Sequence, residues 1–210
     1  SDDHECVEPE ELLARLRLGM RVLIREGSTE RNLDALVKGV LEAGLSCENL
    51  CFCTDDKHAI EILREGHINY NINRAIQVGL DPMRAIQIAT VNAARHFRVE
   101  DEIGSITPGR LADILLSPSL EDIQPSMVLF EGRVVSENGT MREPCQVQSY
   151  PDWIKDTVHL KKPVTADTFR IPAQKERVRV NLIELIDRQI INRWTTAELD
   201  GESGVLRPAP

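Results

Sequence analysis

No stretch of this 210-residue chain approaches the roughly 18 consecutive apolar residues of a membrane-spanning helix, so no membrane partner is expected. The amino terminus, Ser1-Asp-Asp-His-Glu5, is acidic where a secretory leader would be basic and then apolar. It also lacks an initiator methionine, and the chain is therefore expected to begin inside a longer polypeptide. There is no excess of positive charge. With a formal net charge of -9, a nucleic-acid footprint, which needs Lys and Arg clustered on one face, is not expected. The five cysteines, Cys6, Cys47, Cys51, Cys53 and Cys145, form no CxxC motif and leave one thiol over in any pairing scheme. Three of them lie in or beside one apolar run, where a thiol behaves as a small hydrophobe. A reducing cytoplasm is the expected compartment.

The most informative stretch is Asn49-Leu-Cys-Phe-Cys-Thr-Asp-Asp-Lys-His58. Residues 50–54 read as a short strand buried on both faces, and they run without a turn residue into two carboxylates, a lysine and a histidine. In parallel α/β folds the carboxyl ends of strands carry the chemistry, which makes Asp55 the first candidate for catalysis. Asp55 or Asp56 reads equally as the cap of a following helix.

Around this stretch the pattern is strand, helix, strand, helix. Residues 9–19 form an amphipathic helix closed by a glycine, 20–24 a second apolar strand, and 32–43 a helix that stops at Gly44. This alternation predicts βα units on a parallel sheet. Two more helices are predicted over 68–78, ending at Gly79, and from the Asp81-Pro82 start signal through Ala94. From Ile103 the texture changes to short runs separated by Glu131-Gly132 and Asn138-Gly139, with strands over 112–116 and 127–130 in a small β module. Beyond Glu143 the signal weakens. Strands are expected over 177–183 and 189–195 in a third unit, and the final residues, 205–210, end in mid-pattern.

Five segments together resemble the bacterial adenine deaminases of the amidohydrolase superfamily: Arg25-Glu-Gly-Ser28, Cys53-Thr-Asp-Asp-Lys-His58, Glu65-Gly-His67, Ala89-Thr-Val-Asn-Ala-Ala94, and the run from Gly104 to Asp113. The last two are common to many amidohydrolases; the first two narrow the likeness. It continues into residues 160–171. The resemblance implies an α/β chain: the last strands of a metal-dependent (β/α)8 barrel in residues 1–100, a β-sandwich segment in 101–145, and part of a carboxyl-terminal α+β domain in 146–210. It implies adenine as substrate, hypoxanthine and ammonia as products, and a homo-oligomer. It also implies a divalent transition metal, Mn2+ or Fe2+ with Zn2+ as an option, in a binuclear centre of the complete protein.

On the same likeness Asp55 is metal ligand and proton shuttle, and His4 is the metal ligand after the sixth barrel strand. Glu26, Ser28 and His58 are candidate purine contacts. Ser28 reads more readily as a helix cap and His58 equally as an exposed helix start, while His67 is expected on a helix face away from the chemistry. His96 and His159 have no partner at ligand spacing. The His-x-His pair of the first strand, the bridging glutamate and the histidine of the fifth strand, which such a centre needs, are absent from the sequence. The chain alone is expected to be inactive without the amino-terminal part of the same protein. Two other readings stay open: an amidohydrolase for another purine or a cyclic amide, and a catalytically silent binding protein.

Overall fold

The computed structural model describes residues 1–143 and 149–206. The chain divides into two compact units, Ser1–Pro144 with Asp187–Ile190, and Cys145–Ile186 with Ile191–Pro210. The boundary expected at 145/146, Cys145 itself and residues 207–210 lie outside the described residues.

The first unit is built on a three-stranded parallel sheet, β1 (Asp2–Asp3), β2 (Arg21–Arg25) and β3 (Leu50–Cys53), in that order. Asp2 and Asp3 pair with Arg21 and Val22, and residues from Val22 to Arg25 pair with those from Leu50 to Cys53. All three strands therefore end at one rim. The βα reading explains why: each strand is followed by a helix that returns the chain to the sheet's other end. Helix α1 (Pro9–Arg17) starts at a capping box formed by Glu8 and Glu11, with Pro9 in the first turn. Helix α2 (Leu33–Glu42) buries Leu33, Leu36, Val37, Gly39 and Val40, a stripe at helical period. A Cβ on Gly39 would lie 2.5 Å from Cβ of Pro9, so this glycine lets α1 and α2 approach.

Helices α3 (Ala59–Glu65), α4 (Ile68–Val78), α5 (Pro82–Ala89) and α6 (Val91–Phe97) follow β3. Helix α4 ends at left-handed Gly79, and Asp81 caps α5 by accepting the Arg84 amide at 3.0 Å, both as expected. The single helix expected through Ala94 is instead two. Thr90 leaves helical geometry at φ -123°, ψ -91°, and its hydroxyl donates to the Ile86 carbonyl at 2.7 Å, competing with the backbone ladder. Leu12, Val22, Ile24, Leu33, Leu36, Leu50, Ile72 and Ile88 form the core between sheet and helices. Each such side chain contributes on the order of 1.5–3 kcal/mol by leaving water.

Strands β4 (Ile114–Leu116), β5 (Met127–Phe130), β6 (Arg133–Glu137) and β7 (Thr140–Met141) make an antiparallel sheet in that order. Its tight turns carry positive φ at Glu131 and Gly132 and at Asn138 and Gly139, the geometry that two-residue hairpins require. Asn73 of α4 staples the segment before β5: its Oδ1 accepts the Ile123 amide at 2.6 Å, and its Nδ2 donates to Asp122 at 2.8 Å.

The second unit holds α7 (Asp152–Lys155), a 3-10 turn (Ala166–Phe169), and an antiparallel sheet of β8 (Arg177–Leu185), β9 (Asn192–Glu202) and β10 (Val205–Leu206). Strand β8 runs two residues past the expected span, while β9 begins three residues later than expected and runs seven residues further. Nine residue pairs, from Arg177 with Asp200 to Leu185 with Asn192, fix their register.

Candidate active site

The carboxyl rim of the parallel sheet gathers the polar residues. Asp55 lies two residues beyond β3, exposed, with its backbone at φ 45°. Left-handed geometry at a non-glycine residue carries a steric cost, which aspartate tolerates better than most. Its Oδ2 accepts from Nη1 of Arg25 at 3.3 Å, and the same Nη1 donates to Oε2 of Glu5 at 2.7 Å. The Arg25 side chain is 0% exposed, and its Nε and Nη2 are buried without a hydrogen-bond partner. His4 follows β1 directly, and its Nε2 lies 3.3 Å from Oε1 of Glu5. His4, Glu5, Arg25 and Asp55 thus form one connected line across the ends of β1, β2 and β3.

Neither aspartate caps the next helix: the residue at the amino end of α3 is His58, which makes no side-chain cap bond. Asp56 turns instead to the loop after β2. It accepts the amides of Ser28 at 3.0 Å and Thr29 at 2.8 Å, and the Thr29 hydroxyl. Partial burial works against ionisation of Asp56, but the Thr29 hydroxyl and the two amides outweigh it and hold the carboxyl down at about 2.

Ser28 is not the cap of α2, whose first turn is preceded by Asn32. Its hydroxyl accepts the His58 amide at 2.8 Å and donates to Glu61, tying the β2 loop to α3. Glu26 is buried, and its carboxylate accepts the Leu33 amide at 3.2 Å at the start of α2. Burial pushes its carboxyl up, against the lowering effect of that amide and of Arg31. His58 is exposed at the start of α3, and its backbone amide is its link to Ser28.

Helix α3 buries no residue. Polar contacts hold it: Arg31 Nη2 donates to Glu61 and Glu65 at 3.1 Å each, and Lys57 Nζ donates to Glu65 at 2.5 Å. Lys57, 1% exposed, also sits 4.2 Å from the centroid of the Tyr70 ring.

One histidine differs from expectation. His67 is not turned away from the rim: its Nε2 is 3.2 Å from the hydroxyl of Thr54, the residue before Asp55. The Glu65-Gly-His67 segment was the available signal, since Gly66, at φ 103°, makes the turn that brings His67 back. His96 pairs with Asp2 at 2.7 Å, and His159 lies 3.9 Å from Asp156.

One group of carboxylates stands close enough together to share a cation. Glu30, Asp55 and Asp56 each offer a carboxylate oxygen, and among the described residues these three atoms lie within 4.8 Å of one another. Carboxylate oxygens suit Mg2+, Ca2+ or Mn2+, and His4 is not in this group.

Residues 7–135 match the model of the amidohydrolase family. An adenine deaminase of Desulforamulus reducens is 49% identical over 192 residues, 91% of this chain and 33% of that protein. One of Ruegeria pomeroyi is 38% identical over 211 residues, 100% of this chain and 35% of its own length. The chain thus spans about a third of the length of these curated relatives. Among solved structures, a β-aspartyl dipeptidase of Fervidobacterium islandicum superposes with a TM-score of 0.50 at 20% identity, over 65% of this chain and 38% of that one, a likeness of fold. No helix among the described residues is long and apolar enough to cross a membrane.

Proposed function

The chain belongs to the amidohydrolase family, and from that premise we propose that it is the carboxyl-terminal portion of a cytoplasmic adenine deaminase, which hydrolyses adenine to hypoxanthine and ammonia. On this reading β1, β2 and β3 are the last three strands of a (β/α)8 barrel. Residues 101–145 supply a β-sandwich segment, and 146–210 supply part of a further domain. The remaining metal ligands come from the amino-terminal part of the same protein, and the complete protein assembles as a homo-oligomer.

Asp55, with His4, would hold a divalent ion, Mn2+ or Fe2+, with Zn2+ also suited to the donors. When bound, such an ion lowers the pKa of water from about 15.7 to about 7 and so supplies a nucleophile at neutral pH. Asp55 takes the proton of the attacking water and returns it to the departing amino group, so that C–O forms, C–N breaks, and ammonia leaves neutral. Ser28 and His58 lie on the loops that border Asp55, where they can meet the purine edge. Glu26, the other residue expected at the purine, is buried with its carboxylate on the Leu33 amide, and there it fixes the start of α2 and with it the path of the Ser28 loop.

The observation that carries this reading is the position of Asp55: an exposed carboxylate just past the carboxyl end of a buried parallel strand, anchored to a buried arginine. The test is ammonia release from adenine by the complete polypeptide loaded with Mn2+ or Fe2+. Absence of release from a protein shown to hold metal would reject it. The present chain by itself is expected to release none.

A further inference from the structure

We infer that the turn Asp187–Ile190 clamps the loop after β2, with Gln189 acting through Asn32 as a positioning residue for Ser28. The inference rests on the proposed reading, in which Ser28 meets the purine. It gives a role to a residue 157 positions beyond Asn32 in the sequence.

The loop is a closed excursion. Glu26 and Arg31 form an antiparallel bridge at its base, and the Gly27 amide donates to the Glu30 carbonyl at 2.9 Å. Its tip, Ser28 and Thr29, hangs on Asp56. Behind the base the chain enters α2, and there Asn32 departs from its usual part. An asparagine before the first turn ordinarily accepts a helix amide with its own side chain. Asn32 makes no such bond, and the Leu33 amide goes to Glu26. Its Nδ2 instead donates to Gln189 Oε1 at 2.8 Å. Asn32 is 2% exposed, and its Oδ1 is buried without a partner among the described residues. A buried amide with one polar atom unmatched carries a cost, so the bond to Gln189 has to satisfy this side chain alone.

The backbone adds a second link. Asp187–Ile190 belongs to the first unit, as does the loop it touches. The Arg31 amide donates to the Arg188 carbonyl at 3.1 Å. Arg188 takes φ 59°, left-handed geometry that a non-glycine residue adopts at a cost. From Arg31 the constraint passes to Ser28, because Arg31 Nε donates to the Ser28 carbonyl at 3.4 Å. The two links fall on consecutive residues, Arg31 and Asn32, where loop meets helix. Arg188 and Gln189 thus fix the base of the loop as Asp56 fixes its tip, and the place of Ser28 depends on both.

The test uses the complete metal-loaded polypeptide and two variants of one residue. Gln189→Leu removes the acceptor at similar size, whereas Gln189→Glu keeps an oxygen for Asn32 Nδ2 and serves as the rescue. In Gln189→Leu the KM for adenine is expected to rise about two- to tenfold, the weight of one hydrogen bond, with kcat and bound Mn2+ within about twofold of the parent. Gln189→Glu is expected to bring KM back to the parent value. Hydrogen exchange read by mass spectrometry should quicken over residues 26–32 in the leucine variant and not in the glutamate variant. In an active enzyme KM and loop exchange have to move together; either change alone, or neither, overturns the inference. A KM that Gln189→Glu fails to restore overturns it too. So does a fall in kcat and bound metal with faster exchange throughout the first unit, the mark of a merely structural contact. A wild type that holds metal and releases no ammonia rejects the deaminase reading. The exchange comparison then decides the clamp by itself, which stands if residues 26–32 alone loosen and falls if they do not.

Discussion

Asp56 Oδ2 accepts the amide hydrogen of Thr29 at 2.8 Å, so the loop after β3 pins the loop after β2 through a side chain adjacent to the proposed catalytic carboxylate. Because folding lowers this carboxyl from 3.8 to about 2, its contribution to stability is complete above about pH 4 and is lost as the pH falls towards 2. Asp56→Ala removes the acceptor for two amides and a hydroxyl and is expected to destabilise the first unit by about 1–3 kcal/mol at neutral pH. Urea titrations at pH 7 and pH 3 check this: the gap between variant and parent should narrow at the lower pH.

Asp55→Asn keeps the shape of the side chain and removes its ability to accept a proton. In the metal-loaded complete polypeptide we expect kcat to fall by about 10²–10⁴-fold, the usual weight of a general acid and base. Circular dichroism should be unchanged, because Asp55 is exposed and gives the core nothing but one contact with Arg25.

Lys57→Met removes a buried ammonium from Glu65 and from the Tyr70 ring. Glu65 keeps Arg31 and is 28% exposed, so the loss should stay below the roughly 3–5 kcal/mol of a wholly buried pair. A decrease of about 1–2 kcal/mol in thermal unfolding is expected. Hydrogen exchange should locate the loosening in α3 and spare α2.

Gly39→Ala sets propensity against packing. Alanine is favoured by about 1 kcal/mol inside a helix. Yet the added methyl meets Pro9 at 2.5 Å across the α1–α2 contact, and overpacking of this kind costs about 1–3 kcal/mol. Destabilisation in a denaturant melt is the expected outcome, and a more stable variant would show that α1 can shift.

The elements that flank the site were legible wherever local pattern and burial coincide. The α2 stripe and the stop at Gly79 needed no tertiary information, since period and terminator lie in adjacent residues. Of helix α3 only the start at His58 was legible; its span was not, for the converse reason: it buries nothing, so its apolar residues follow no inward stripe. The break at Thr90 hides inside a continuous helical pattern, because one hydroxyl bond decides it. Asn92 was visible only as part of a superfamily string. Its Nδ2 donates to the carbonyls of Cys47 at 2.8 Å and Leu50 at 3.0 Å, securing the entry to β3 from more than 40 residues away. Asp55 could be read at its strand end, but the line from His4 through Glu5 and Arg25 crosses three strands and exists only once they pair.

A helix that follows β3 yet lends nothing to the interior has a practical use. Ile60 and Leu63 on α3 face outward, 52% and 82% exposed, so a fluorophore at either position would leave the β3 packing untouched. Such a reporter would ride on the helix that follows the loop of the proposed catalytic carboxylate, and its anisotropy would follow that helix's motion in real time.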